Sequence, residues 1–159
     1  MSAPSSGGWA ATFTWVAVVV LYAALSSVWT GRDPGWYARL AKPSFQPPDV
    51  VFGVVWPLNF LALLGVGVWF TRSAAATDAW SATLVLAASV VAALAWAWLF
   101  YVPHRIAGAT VALGVAAVLT WVLIALIVRS LPWAGVALAP YAVWLSVATA
   151  LSVQYSRLN

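Results

Sequence analysis

Residues 36–56 read WYARLAKPSFQPPDVVFGVVW. A compact, proline-rich, cationic loop here runs straight into an apolar segment. Pro43, Pro47 and Pro48 lack backbone donors and fix φ, so the loop is stiff and cannot continue a helix. Trp36, Tyr37 and Phe45 give it an aromatic underside, while Arg39 and Lys42 hold one face in water or at headgroups. Asp49, just before the apolar run, is placed to cap the helix that follows. A stiff amphipathic flap beside a membrane helix reads as a lid over a binding site.

Outward from this stretch, the charges decide the fold. The chain has 159 residues, of which 65% are hydrophobic and 6% charged, against about 25% charged in soluble domains. All ten charged residues fall at Arg32, Asp33, Arg39, Lys42, Asp49, Arg72, Asp78, Arg105, Arg129 and Arg157. Between them lie uncharged runs of 31, 22, 26, 23 and 27 residues. A spanning helix needs roughly 20 apolar residues, so each run holds one helix and none holds two. The fold class is an all-α membrane protein, a bundle of five transmembrane helices. The helices are expected over 9–29, 49–70, 80–101, 107–128 and 134–155. Residues 1–8 are expected to be a flexible tail, 9–159 a single domain, and 30–48 its lid loop. No Lys or Arg precedes the first apolar run, so it does not read as a signal peptide.

The same charges exclude function classes and suggest an orientation. The net charge of +4 is spread over loops without a basic cluster, which argues against nucleic acid as a partner. Five Lys/Arg lie in the first loop, third loop and C-terminal segment, and two (Arg72, Arg129) on the other side. The positive-inside rule then places the N-terminus outside and the C-terminus in the cytoplasm, and the expected location is a bacterial cell membrane. Without cysteine, thiolate catalysis and Cys-based metal sites are excluded. One histidine, His104, and three scattered Asp make no metal cluster, and His104 reads as a cap on the third loop. No internal repeat and no intramembrane charge point to a gradient-driven transporter.

Small residues recur every fourth position at Gly108, Ala112, Ala116 and Thr120, and again at Ala142, Ser146 and Ala150. Such stripes let helix backbones approach closely, within one chain or across a homodimer. Pro57 and Pro140 lie inside predicted helices, which either bend and re-satisfy their carbonyls locally or open a wider space at that level. Of twelve tryptophans, Trp9, Trp29, Trp69, Trp80 and Trp133 fall near helix ends, where indoles anchor at headgroup depth, as does Tyr155. Trp56, Trp96, Trp121 and Trp144 are deeper and need a partner for the N–H or a ring to stack on. Phe52, Trp56 and Phe60 share one helix face; Trp96 and Phe100 share another; Pro140, Trp144 and Ala148 share a third. Each stripe alone reads as core. Three beneath one stiff lid suit a flat, apolar ligand such as a tetrapyrrole or a sterol.

The 36–56 run resembles the TspO/MBR family, the tryptophan-rich sensory proteins and translocator proteins, in its WY-x-x-L-x-KPS-F-x-PP-x-x-V-F-G-x-x-W pattern. The segment WAWLFYVPHR at 96–105 and the segment APYAVWLSVATALSVQYSRLN at 139–159 are similar to two further family blocks. The resemblance implies a five-helix, usually dimeric protein that binds porphyrins and, in animal members, cholesterol. Carried over by motif position, it implies a pocket of Trp36, Pro47, Trp56, Phe60, Trp96, Trp144 and Ala148, with Ser27 as a further candidate. Porphyrin is then the ligand and no cofactor is required, with Arg39 or Lys42 meeting its propionates at the membrane surface. Where the family has a Trp after the PP pair this chain has Val50, and two polar positions of the third span are Ala93 and Ser89. Asn59 offers a polar replacement or a hydrogen bond to a neighbouring helix, the latter favoured. Alternatives to simple binding are light-dependent porphyrin degradation with Trp56 and Trp144 as participants, and facilitated movement of porphyrin or sterol.

Overall fold

The computed structural model of the chain describes residues 6–159, with side chains from Trp9 onward. Six helices follow one another: α1 (Ser6–Thr30), α2 (Pro34–Arg39), α3 (Asp49–Ser73), α4 (Ala76–Tyr101), α5 (Ile106–Ser130) and α6 (Pro132–Leu158). All but α2 are long and apolar enough to cross a membrane, giving the five spans. Of the tail expected over 1–8, residues 1–5 lie outside the described residues and residues 6–8 belong to α1.

The spans run past their expected ends because charge does not stop a helix at the matching pole. Asp49 and Asp78 sit in first turns, and Arg72, Arg129 and Arg157 in last turns. Each there complements the helix dipole. Asp49 is accordingly not a cap: Pro48 holds that position, without a side-chain bond to the helix. The real carboxylate cap is Asp33, whose Oδ1 accepts from the Trp36 N–H at 2.8 Å. With Pro34 in the first turn behind it, this local signal makes α2, a helix within the expected lid loop.

Around the bundle the order is α1, α3, α6, α5, α4 and back to α1. Sequential spans were expected to be neighbours, and most are. The exception is α4, which packs chiefly on α1 and α5 and only marginally on α3.

Polar seams fasten the ring. Ser89 Oγ on α4 donates to the Ala116 carbonyl on α5 at 2.9 Å and lies 2.8 Å from Thr120 Oγ1. Thr110 donates to the Ser152 carbonyl at 2.9 Å, tying α5 to α6. The Trp121 indole donates to Ser146 Oγ at 3.1 Å, so this indole is satisfied by a neighbouring helix. Ala116, Thr120 and Ser146 of the two small-residue stripes are thus used within the chain. Asn59 is buried, but its amide nitrogen has no hydrogen-bond partner, so the favoured bond to a neighbouring helix is not made through it.

A close contact joins α1 to α3. Trp15 is fully buried, and its indole N–H donates to the Leu63 carbonyl at 2.8 Å. The ring lies over Gly67, where a Cβ would stand 1.8 Å from the indole nitrogen. Gly135 serves the turn from α5 to α6 in the same way, since a Cβ there would meet Val128 Cγ2 at 2.2 Å.

Candidate functional site

The loop of residues 31–48 closes one end of the bundle, and beneath it lies a cavity of about 480 Å³. That volume is within the range of about 300–1,000 Å³ typical of small-molecule sites. Four spans contribute to its wall. Tyr22 comes from α1, Phe52, Trp56, Pro57 and Phe60 from α3, Ala93, Trp96, Ala97 and Phe100 from α4, and Ala148 and Leu151 from α6.

The rings form two clusters that face each other across the cavity. Trp56 stacks on Phe60 at 5.8 Å, and Tyr22 meets Phe60 edge-on at 5.2 Å. Across the cavity, Trp96 lies 5.9 Å from Phe100, which meets Tyr155 edge-on at 5.7 Å. Such edge and offset contacts hold each ring in a fixed orientation, so the wall is rigid and presents broad apolar surfaces. Ala93, Ala97 and Ala148 keep the space between the rings open.

Toward the lid the lining becomes polar. Tyr155 donates its hydroxyl proton to Gln46 Oε1, and Gln46 Nε2 donates to the Tyr37 hydroxyl at 3.4 Å. The Tyr155 and Tyr37 hydroxyls are 3.2 Å apart. One proton cannot serve both of Tyr155's contacts, so Tyr37 supplies the proton for this third side of a closed cycle. Beyond it, Asn159 grips the lid backbone twice: Oδ1 accepts from the Ala41 N–H at 3.0 Å, and Nδ2 donates to the Ala41 carbonyl at 3.2 Å. The lid is therefore latched to the end of α6. Tyr155 was expected to be an interfacial anchor; only 5% exposed, it is instead the inner half of this latch.

The other side of the lid rests on the α4–α5 turn. Trp36 stacks on His104 with centroids 3.9 Å apart and planes 15° from parallel, and meets Phe100 edge-on at 5.3 Å. His104 Nε2 is 3.8 Å from Asp33 Oδ2. The backbone of His104 has φ 57°, left-handed, a conformation histidine adopts more readily than most residues. It turns the chain and raises the imidazole against the lid.

Of the eight site residues read from the sequence, Ser27, Trp56, Phe60, Trp96 and Ala148 line the cavity. Trp36 and Pro47 belong to the lid without lining it, and Trp144 lies 5.4 Å edge-on to Phe52 rather than on the cavity surface. All of the Phe52–Trp56–Phe60 stripe lines the cavity, as do Trp96 and Phe100, but of the α6 stripe only Ala148 does. Pro57 opens onto the cavity and Pro140 does not. Arg39 and Lys42 also lie outside the lining; Lys42 Nζ sits 5.5 Å above the Tyr37 ring. Sequence reasoning missed Tyr22, Gln46, Asp49, Tyr101 and Tyr155. Only Gln46 and Asp49 carried a local signal, by flanking the Pro47–Pro48 pair. The two departures from the family's polar positions also find their places. Ala93 faces the cavity, whereas Ser89 is engaged in the α4–α5 seam. Val50 is 70% exposed and lies outside the lining.

Comparison with known proteins then bears on the family. The model of the TspO/MBR family matches residues 12–158. Protein CrtK of Rhodobacter capsulatus is 32% identical over 146 residues, which cover 80% of this chain and 81% of that protein.

Proposed function

The chain belongs to the TspO/MBR family, and on that premise we propose that it is a membrane binding protein for flat, apolar ligands of the tetrapyrrole class. The observation that carries this reading is the rigid aromatic wall, drawn from α1, α3 and α4, around a cavity of about 480 Å³. A planar macrocycle offers the broad π-faces that Trp56 and Trp96 can stack on. Its polar edge would lie toward Tyr37, Gln46 and Tyr155. The excess of Arg and Lys on the lid end supports a cytoplasmic lid. A photochemical reaction using both Trp56 and Trp144 has less support, because Trp144 lies at Phe52 and not on the cavity surface.

The test is a titration of the purified protein with protoporphyrin IX in the dark, following tryptophan fluorescence. Saturable quenching at about 1 μM ligand or below, near −8 kcal/mol, is the expected result. Ala148→Phe places a ring in the cavity and is expected to weaken binding by about tenfold or more, since the ligand must displace it or bind around it. Trp56→Phe should weaken it less. Linear quenching that is identical in all three proteins would mean partitioning into the micelle and would overturn the proposal.

A further inference from the structure

The charge inventory of the cavity runs against the most obvious tetrapyrroles. Among the lining residues Asp49 is the only charged one, and no Lys, Arg or His is present. Asp49 sits in the first turn of α3, lines the cavity and is itself exposed. The lid's own cations, Arg39 and Lys42, are exposed and outside the lining.

Tyr22 and Tyr101 bring two further hydroxyls to the lining, while most of the other neutral donors are engaged. Ser26 and Ser27 donate to the Ala23 and Ala24 carbonyls of their own helix, at 3.2 and 2.8 Å. Thr110 gives its proton to backbone carbonyls, so the 2.8 Å contact between the Thr110 and Ser152 hydroxyls uses the Ser152 proton. The Tyr37–Gln46–Tyr155 cycle uses both phenolic protons internally. What faces the cavity from these engaged groups and from Asp49 is lone pairs, one remaining Gln46 N–H and a carboxylate. The Trp96 N–H has no partner, but its nitrogen is buried. A carboxylate brought here would meet neutral donors and the Asp49 carboxylate but no cation.

We infer that the site selects flat ligands whose inserted edge is uncharged or cationic, and that Asp49 is the residue that discriminates against carboxylates. This rests on the tetrapyrrole reading above and ranks its ligands: ester, amide and amine forms bind more tightly than the free diacid, which still binds. An N–H or ammonium at the edge meets the lone pairs and the Asp49 carboxylate, and a carboxylate meets repulsion.

The experiment compares wild type with Asp49→Asn, using three probes that share one ring. These are protoporphyrin IX, its dimethyl ester, and its bis(aminoethyl) amide, which is cationic. For each probe the ratio of Kd between the two proteins is read, so that partitioning into detergent cancels. Asp49→Asn is expected to tighten the diacid by about fivefold and weaken the diamine by about fivefold, as one unit charge at roughly 8 Å in a partly aqueous mouth would do. The diester should not change. At about 1 M salt, where screening acts within roughly 3 Å, both effects should shrink toward none. A fold defect would shift all three probes alike and persist in salt. If the three probes saturate but their ratios are equal, the tetrapyrrole reading stands and the role of Asp49 is overturned. If none saturates on wild type, that reading fails and this inference with it.

Discussion

Gly67→Ala is expected to destabilise the bundle by about 3 kcal/mol or more, the largest effect of any single methyl group in this protein. The new Cβ would stand 1.8 Å from Trp15 Nε1 and 2.1 Å from Cε2. The atoms it meets belong to a rigid ring that is fully buried, so no flexible end can swing aside. Moving the indole would also break its bond to the Leu63 carbonyl and leave a polar N–H in an apolar interior. Lipid gives no hydrophobic drive to restore the contact, because helix association in a membrane rests on close packing and hydrogen bonds. The control lies two residues away on the same helix. At Gly65 a Cβ would meet nothing within 4 Å, and alanine there should be neutral or stabilising by about 0.5–1 kcal/mol through helix propensity. Thermal unfolding in detergent, with Trp15→Leu added to relieve the Gly67→Ala clash, completes the comparison. Equal loss from both glycine variants, or no relief by Trp15→Leu, would show that the α1–α3 contact is not built on this pair.

The five spans were legible because each lies between charged residues, and length against bilayer thickness then leaves one answer. Their ends were not, because Asp78 and Arg129 look like loop residues until their helix pole is known. Helix α2 was hidden by its length of six residues, too short for periodicity to report, although Asp33–Pro34 marks its start. The aromatic wall was legible on α3, where Phe52, Trp56 and Phe60 repeat every fourth position. Periodicity fixes the face of a helix, but not which neighbour covers that face. Trp144 thus shares a face with Ala148 and yet packs against Phe52. Tyr22 was invisible for the converse reason. Nothing on α1 distinguishes one face from another, and its place opposite Trp56 and Phe60 follows from the ring order of the helices. Trp15 and Gly67 lie on different spans, and neither announces the other. The latch is also nonlocal, since Asn159 reaches Ala41 across 118 positions.

Removing that latch with Asn159→Ala is expected to speed ligand association and dissociation together, by about tenfold each, while Kd changes little. Asn159 lines no part of the cavity, so it has no contact with a bound ligand to lose. Its two bonds to the Ala41 backbone hold the lid down whether or not the site is filled. Each neutral bond contributes about 0.5–1.5 kcal/mol, and a partly exposed pair lies toward the lower end. Their loss lowers the cost of lifting the lid by an amount close to the roughly 1.4 kcal/mol that corresponds to tenfold. Because opening stands between the free and the bound protein in both directions, the two rates move equally and their ratio is preserved. Gln46→Ala should behave differently. Gln46 lines the cavity and also closes the tyrosine cycle, so both rates should rise and Kd should change as well. Stopped-flow quenching gives the rates. Hydrogen exchange at the Ala41 amide gives an independent view, since its protection should fall in Asn159→Ala even without ligand. Rates unchanged alongside a deprotected Ala41 would mean that the lid pivots elsewhere, on the Trp36–His104 side. Protection unchanged would mean that the reciprocal amide pair does not hold the lid at all.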